Sequence, residues 1–132
     1  MRRSTAGVWG TVAAVTGALA VSAAGVASAG SDVHAAKATL HLQANPNGAL
    51  KFNKKKLSAK AGKVTIVMNN PSTSMSKHGI AVQGNGVDKD GKIVKPGKTS
   101  SVTVTLKPGK YKYYCPFDHH EQLGMTGTLT VK

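Results

Sequence analysis

This sequence predicts an all-β protein folded as an antiparallel sandwich, and three observations lead there. Short runs that alternate apolar and polar side chains recur along the chain, as in residues 63–69, 99–106 and 126–131. Turn-forming clusters separate them: Asn45-Pro46-Asn47-Gly48, Gly84-Asn85-Gly86, Lys95-Pro96-Gly97 and Lys107-Pro108-Gly109. From residue 30 onward no stretch keeps a 3.6-residue period, and no internal repeat is present. Seven or so short strands between regular turns fit a sandwich.

Residues 1–29 read as a secretory signal peptide. Met1-Arg2-Arg3 is a basic start, an apolar Ala/Val/Gly stretch runs to about Val26, and Ala27-Ser28-Ala29 has the small-residue pattern of a cleavage site. An uncleaved anchor needs about twenty apolar residues; the stretch is long enough but only mildly hydrophobic. The residues after Arg2-Arg3 do not complete a twin-arginine signal. No cysteine follows the stretch, which argues against a lipoprotein anchor. The expectation is an exported protein: periplasmic, held in the cell envelope, or secreted. Residues 30–38, with His34, read as a flexible leader, and residues 39–132 as the folded domain.

Within the domain, residues 39–43 alternate, placing Leu40 and Leu42 inward and His41 outward. Residues 49–52 start a second extended stretch with Leu50 and Phe52 inward, and Lys54-Lys55-Lys56 reads as a solvated edge. Residues 63–69 form a well-patterned strand whose Val64, Ile66 and Met68 share a face, which makes Met68 core rather than ligand. Asn70-Pro71 ends it, a polar loop follows, and His78 stands where that loop runs into the next strand. Residues 84–97 read as a long turn region. Asp88 and Asp90 in it do not make a calcium loop without a later bidentate glutamate. Val102, Val104 and Leu106 share one face of residues 99–106. On residues 110–115, Tyr111, Tyr113 and Cys115 point one way and Lys110, Lys112 and Tyr114 the other.

From Gly30 on, sixteen lysines and no arginine stand against five acids, a formal charge of +11. Nucleic acid is a poor fit, because the chain carries an export signal and lacks the residue best suited to bidentate phosphate and base contacts. Lysines of this density suit long-range attraction to an acidic protein partner, an anionic lipid or an anionic wall polymer, or simply a well-solvated surface. The single cysteine, Cys115, is more telling. Outside the cytoplasm thiols are oxidised in pairs, so an unpaired one is bridged to another chain, reactive, or held by a metal.

The neighbours of Cys115 favour the metal. Within eleven residues the chain places Cys115, His119, His120 and Met125 on a loop between two alternating strands. If the lysines of the incoming strand are outside, Cys115 points inward at the end of the sandwich, where a lone thiolate is costly. Two His nitrogens and one Cys sulfur in a trigonal plane with a weak axial Met are the ligands of a blue-copper centre. The loop supplies three of these four, and His78 is the best candidate for the last. Gly124 and Gly127 give the backbone freedom on either side of Met125.

Cys115, then His120 five residues on, then Gly124-Met125 and Thr126-Gly127-Thr128-Leu129-Thr130-Val131, resembles the C-terminal copper loop of small cupredoxins of the plastocyanin/azurin family. Lys77-His78-Gly79-Ile80-Ala81-Val82 resembles the segment carrying the first ligand, and Lys107-Pro108-Gly109-Lys110-Tyr111 the approach to the cysteine strand. The likeness covers most of residues 50–132. It implies a Greek-key β-sandwich with one copper ion, His78, Cys115 and His120 as equatorial ligands and Met125 as the axial one. It also implies a core Tyr111 with a corner-type hydrogen bond, an outward Tyr114 within reach of partners, and an exposed edge of His120 through which electrons pass. Gly79 stands where the family often has Asn, and Pro116 where it often has Ser or Thr. Both changes remove side chains that would bond around the ligands. His119 stands where the family commonly has Gly and is the rival to His120, which the spacing favours.

The function expected is one-electron transfer outside the cytoplasm by a monomer that meets redox protein partners. The alternative is copper sequestration or delivery, for which Met75 near His78 is the one hint. An enzyme is the least expected class, because four filled coordination positions leave no place for a substrate. A Cys-His hydrolase would need an orienting Asn or Asp and a cleft.

Overall fold

The computed structural model describes residues 36–132, so the signal peptide expected over residues 1–29, the start of the leader and His34 lie outside the described residues, while residues 36–38, expected in the leader, already belong to a strand. Eight strands follow in order: β1 Ala36–Gln43, β2 Lys56–Ala59, β3 Gly62–Asn69, β4 Ala81–Gly84, β5 Val87–Asp90, β6 Thr99–Leu106, β7 Gly109–Tyr114 and β8 Thr126–Val131. They form a three-stranded sheet in the order β1-β3-β6 and a five-stranded sheet in the order β2-β8-β7-β4-β5. Among the described residues no helix is long and apolar enough to cross a membrane.

The alternation read from the sequence is what closes the core. Val64, Ile66 and Met68 of β3, Val102 and Leu106 of β6, Tyr111 and Tyr113 of β7, and Leu129 and Val131 of β8 are all buried in one apolar cluster. Each fully buried Val, Leu or Ile of this kind stabilises the fold by roughly 1.5–3 kcal/mol. Tyr111 sits in that core with its hydroxyl donating to the Lys107 carbonyl at 2.8 Å, the corner-type bond that the resemblance implies. His41 is exposed, as its strand position predicts.

Three features differ from the reading of the sequence. The sheets are mixed: β1 pairs with β3 and β2 with β8 in parallel, while the other four ladders are antiparallel. Alternation says which face a residue takes but not which way its neighbouring strand runs. The stretch 49–52 is no strand; Phe52 makes only an isolated bridge to Ala44, and the strand comes later, at β2. Inside the expected long turn lies β5, hairpinned to β4 through Gly84-Asn85-Gly86.

β2 and β5 are the two edges of the five-stranded sheet. Beside β2 the chain exposes Lys54, Lys55 and Lys56, the solvated edge that the sequence predicts, whereas β5 exposes Asp88 and Asp90 on either side of Lys89. Charged edges resist pairing with another chain. The remaining acids among the described residues, Asp118 and Glu121, belong to the loop between β7 and β8.

Candidate metal centre

The five-stranded sheet brings the candidate residues to one place because β7 lies at its middle, between β8 and β4. Cys115 follows the last residue of β7. β4 and β8 run antiparallel to β7, so they begin beside the end where β7 stops. His78 therefore arrives just ahead of β4, and His120 and Met125 just ahead of β8. A residue pair far apart in sequence becomes adjacent through strand order alone.

His78, Cys115 and His120 present ligand atoms that all lie within 4.8 Å of one another, and all three residues are buried. Nδ1 of His120 is 3.6 Å and Nδ1 of His78 is 3.9 Å from Sγ of Cys115. The two imidazole rings stand 5.0 Å apart between centroids. Donors at these separations can all reach one ion at ordinary metal–ligand lengths of roughly 2.0–2.3 Å. Met125 is fully buried; its carbonyl accepts the Cys115 N–H at 3.1 Å and its N–H donates to the His120 carbonyl at 2.9 Å. That backbone pairing fixes the three loop residues relative to one another.

The electrostatics suit a soft cation. Burial pushes the Cys115 thiol up, with the Gly79 and Phe117 N–H groups pulling it the other way. Burial, and then the neighbouring His120, lowers the pKa of His78 to about 4. Burial lowers His120 as well, with Asp118 opposing. Both rings are thus held neutral near pH 7, the form a metal binds. A buried sulfur, two neutral imidazoles and a buried thioether make a donor set that fits copper.

Each remaining candidate has its own place. His119 is exposed and does not belong to that cluster. It is the second central residue of a tight turn in which the His120 N–H donates to the Phe117 carbonyl, with φ +39° at Asp118 and +56° at His119. A left-handed position suits glycine, and histidine is among the side chains that tolerate it best. Met68 is core. Tyr114 corrects the expectation of an accessible outward residue, since it is only 8% exposed. Lys112 lies over its ring at 5.1 Å and pairs with Glu121, while the hydroxyl approaches Asp90 and Asp88. Burial and then Asp90, Asp88 and Glu121 push that phenol up to about 12.

The sequence reading missed one bonding group. Gly79 has no side chain to offer, yet it donates its backbone N–H to Cys115 Sγ at 3.4 Å. The space a side chain would take is filled: a Cβ there would meet Ile93 Cδ1 at 2.8 Å, the Lys92 carbonyl at 3.1 Å and Pro116 Cδ at 3.4 Å. No sequence pattern marks a backbone donor, so only the fold reveals it.

Comparison with known proteins agrees with this geometry. No curated protein matches the chain significantly by sequence. Among solved structures it is similar to auracyanin B, at 27% identity over 74% of this chain and 90% of that one, with a TM-score of 0.64. It shares its fold with dithionite-reduced auracyanin from the photosynthetic bacterium Roseiflexus castenholzii, at 21% identity over 71% and 96% of the two chains and a TM-score of 0.62. The same holds for auracyanin A, a "blue" copper protein of the green thermophilic photosynthetic bacterium Chloroflexus aurantiacus, at 21% identity over 74% and 100% and a TM-score of 0.61. Residues 38–132 match the sequence profile of copper binding proteins, plastocyanin/azurin family. With nearly the whole described domain inside that match, the chain belongs to the plastocyanin/azurin family of copper-binding proteins.

Proposed function

We propose that the protein is an extracytoplasmic one-electron carrier whose single copper ion is held by His78, Cys115 and His120 as strong ligands and Met125 as the axial one. The observation that carries this reading is the assembly of two Nδ1 atoms around one buried sulfur, at 3.6 and 3.9 Å, from loops that different strands position. Copper, when bound, supplies a centre that exchanges one electron between its cupric and cuprous states. The chain supplies a dry pocket, a fixed Cys115–Met125 backbone pairing and the Gly79 N–H toward the sulfur. A scaffold that holds its donors before the metal arrives has little to rearrange when the charge changes.

The exposed large apolar side chains among the described residues are Met75, Ile93 and Leu123. Leu123 stands on the loop that carries His120, and Met75 lies three residues before His78. That placement supports docking of a redox protein at this end, with electrons leaving by way of His120, although its ring is buried, at 5% exposure, where the resemblance implies an exposed edge. The lysines favour acidic partners or an anionic envelope surface. Export through residues 1–29 and a monomeric, non-catalytic role complete the reading, resting on the sequence features described above.

Copper delivery is the second reading, favoured by one observation: Met75, with its soft thioether, is 86% exposed. The test begins by adding cupric salt to the purified metal-free protein. An intense visible band from sulfur-to-copper charge transfer is expected, absent in Cys115→Ser and retained in His41→Ala; a colourless copper-loaded protein overturns the proposal. Slow loss of copper to chelators with fast reversible reduction identifies a carrier. Rapid loss that slows in Met75→Ala identifies delivery.

A further inference from the structure

Asn70, the residue after β3, is fully buried and does more than end a strand. Its Nδ2 donates to the Ser76 carbonyl at 3.0 Å and to the Val94 carbonyl at 3.1 Å. The same Val94 carbonyl accepts the backbone N–H of His78 at 3.1 Å, and the Val94 N–H returns to the His78 carbonyl at 2.8 Å. One amide thus grips the segment presenting His78 from two sides, two residues upstream and through a shared acceptor. Its backbone holds a third side: the Asn70 N–H donates to Lys98 and its carbonyl accepts from Gly97, at 2.9 and 2.7 Å.

The two carbonyl partners fix which end of the amide is which, since only the NH₂ end can donate twice. That leaves Oδ1 buried without a hydrogen-bond partner among protein atoms. An unpaired buried acceptor opposes folding, and an apolar side chain of similar volume would avoid it. What the apolar side chain lacks is the pair of donors. A residue concerned only with stability has little reason to be an asparagine here; one concerned with where its neighbours stand does.

We propose that Asn70 is a positioning residue for His78: by clamping the Ser76 and Val94 carbonyls it sets where the imidazole stands relative to Cys115. This rests on the reading of His78 as a copper ligand. Residues that orient a ligand from behind commonly change metal affinity ~10–100-fold when replaced, and Asn70 belongs among them through its hydrogen bonds to Ser76 and Val94.

The test compares the wild type with Asn70→Asp, which keeps the shape and loses both donors when ionised. Asn70→Ser, which keeps one donor, covers the case in which the aspartate variant does not fold. Tyr111→Phe serves as a control that removes a buried hydrogen bond at Lys107, away from the metal loops. In the metal-free protein, amide hydrogen exchange at His78 reports the clamp directly. In the copper-loaded protein, release to a chelator and the visible spectrum report its consequence. Expected are faster exchange at His78, copper release accelerated ~10-fold or more and a shifted spectrum for Asn70→Asp, intermediate values for Asn70→Ser, and no spectral change for Tyr111→Phe. If the Asn70 variants match Tyr111→Phe at equal global stability in all three readouts, the proposal is wrong. If the wild type takes up no copper with an intense band, the copper reading fails instead, and the exchange comparison still decides whether Asn70 holds His78.

Discussion

The backbone N–H of Gly79 lies 3.4 Å from Sγ of Cys115, a hydrogen bond that joins residues thirty-six positions apart and ties the two loops of the metal centre together. Hydrogen bonds to a copper-binding sulfur tune its reduction potential, so whatever moves Gly79 moves the chemistry.

A side chain at position 79 has no room. Gly79→Ala is expected to lower stability by about 1–3 kcal/mol, because its Cβ would meet Ile93 Cδ1 at 2.8 Å and the Lys92 carbonyl at 3.1 Å. Trimming the flexible partner should help but not cure, since the carbonyl remains. Chemical denaturation of Gly79→Ala, Ile93→Ala and the double variant should show a favourable coupling between the two sites; strictly additive losses would contradict the packing.

Proton uptake should weaken the metal-free fold as pH falls. The pKa of His78 is depressed to about 4 by burial and His120, against an ordinary value of 6.5. Between those values the unfolded chain binds the proton and the folded one does not, so the stability is present above pH 6.5 and is lost as pH falls toward 4. His120, lowered in the same direction, adds to the slope. From His78 alone the loss amounts to about 3 kcal/mol, measurable as a falling midpoint in urea. His78→Gln should flatten the dependence.

Gly127 is fixed by space rather than by backbone conformation. A Cβ there would stand 2.2 Å from the Tyr113 ring, which lies across the β7–β8 ladder from it. The Tyr113 hydroxyl is anchored on the Lys54 carbonyl at 2.6 Å, so the ring cannot swing away cheaply. Gly127→Ala should cost about 3 kcal/mol and loosen the strands that carry Cys115 and Met125, seen as a lower Tm and faster copper loss. Adding Tyr113→Leu should restore part of the stability.

His119 and His120 make a matched pair of tests. Replacing His119, held at φ +56°, by glycine relieves left-handed strain and should raise stability by up to about 1 kcal/mol with the visible band intact. His120→Gly should abolish the band. The opposite outcome would assign the ligand to the wrong ring.

The strong strands and the meeting of His78, Cys115 and His120 are readable from the sequence because alternation and ligand spacing are local signals. Residues 99–106 and 126–131 were bounded as the structure has them, and His78, Cys115 and His120 converge as the ligand chemistry requires. What stayed hidden has a common physical origin. β2 and β5 are four-residue edge strands, with the sequences Lys-Leu-Ser-Ala and Val-Asp-Lys-Asp, too exposed to leave an apolar pattern. The parallel direction of β1 on β3, the donors of Gly79 and Asn70 and the cover over Tyr114 are properties of backbone and neighbours. None of them is written in the identity of a single residue.

The two margins of the five-stranded sheet differ in charge, with three lysines beside β2 and two aspartates around one lysine, Lys89, on β5. Such a layout makes the potential uneven from one margin of that sheet to the other. A charged visitor exerts a torque before contact, over a range of roughly 8 Å at physiological ionic strength. The lysine margin swings toward an anion, and the carboxylate margin, which borders Tyr114 and the cysteine loop, swings toward a cation. The sign of the visitor's charge therefore selects the flank that is met first, and added salt weakens that selection.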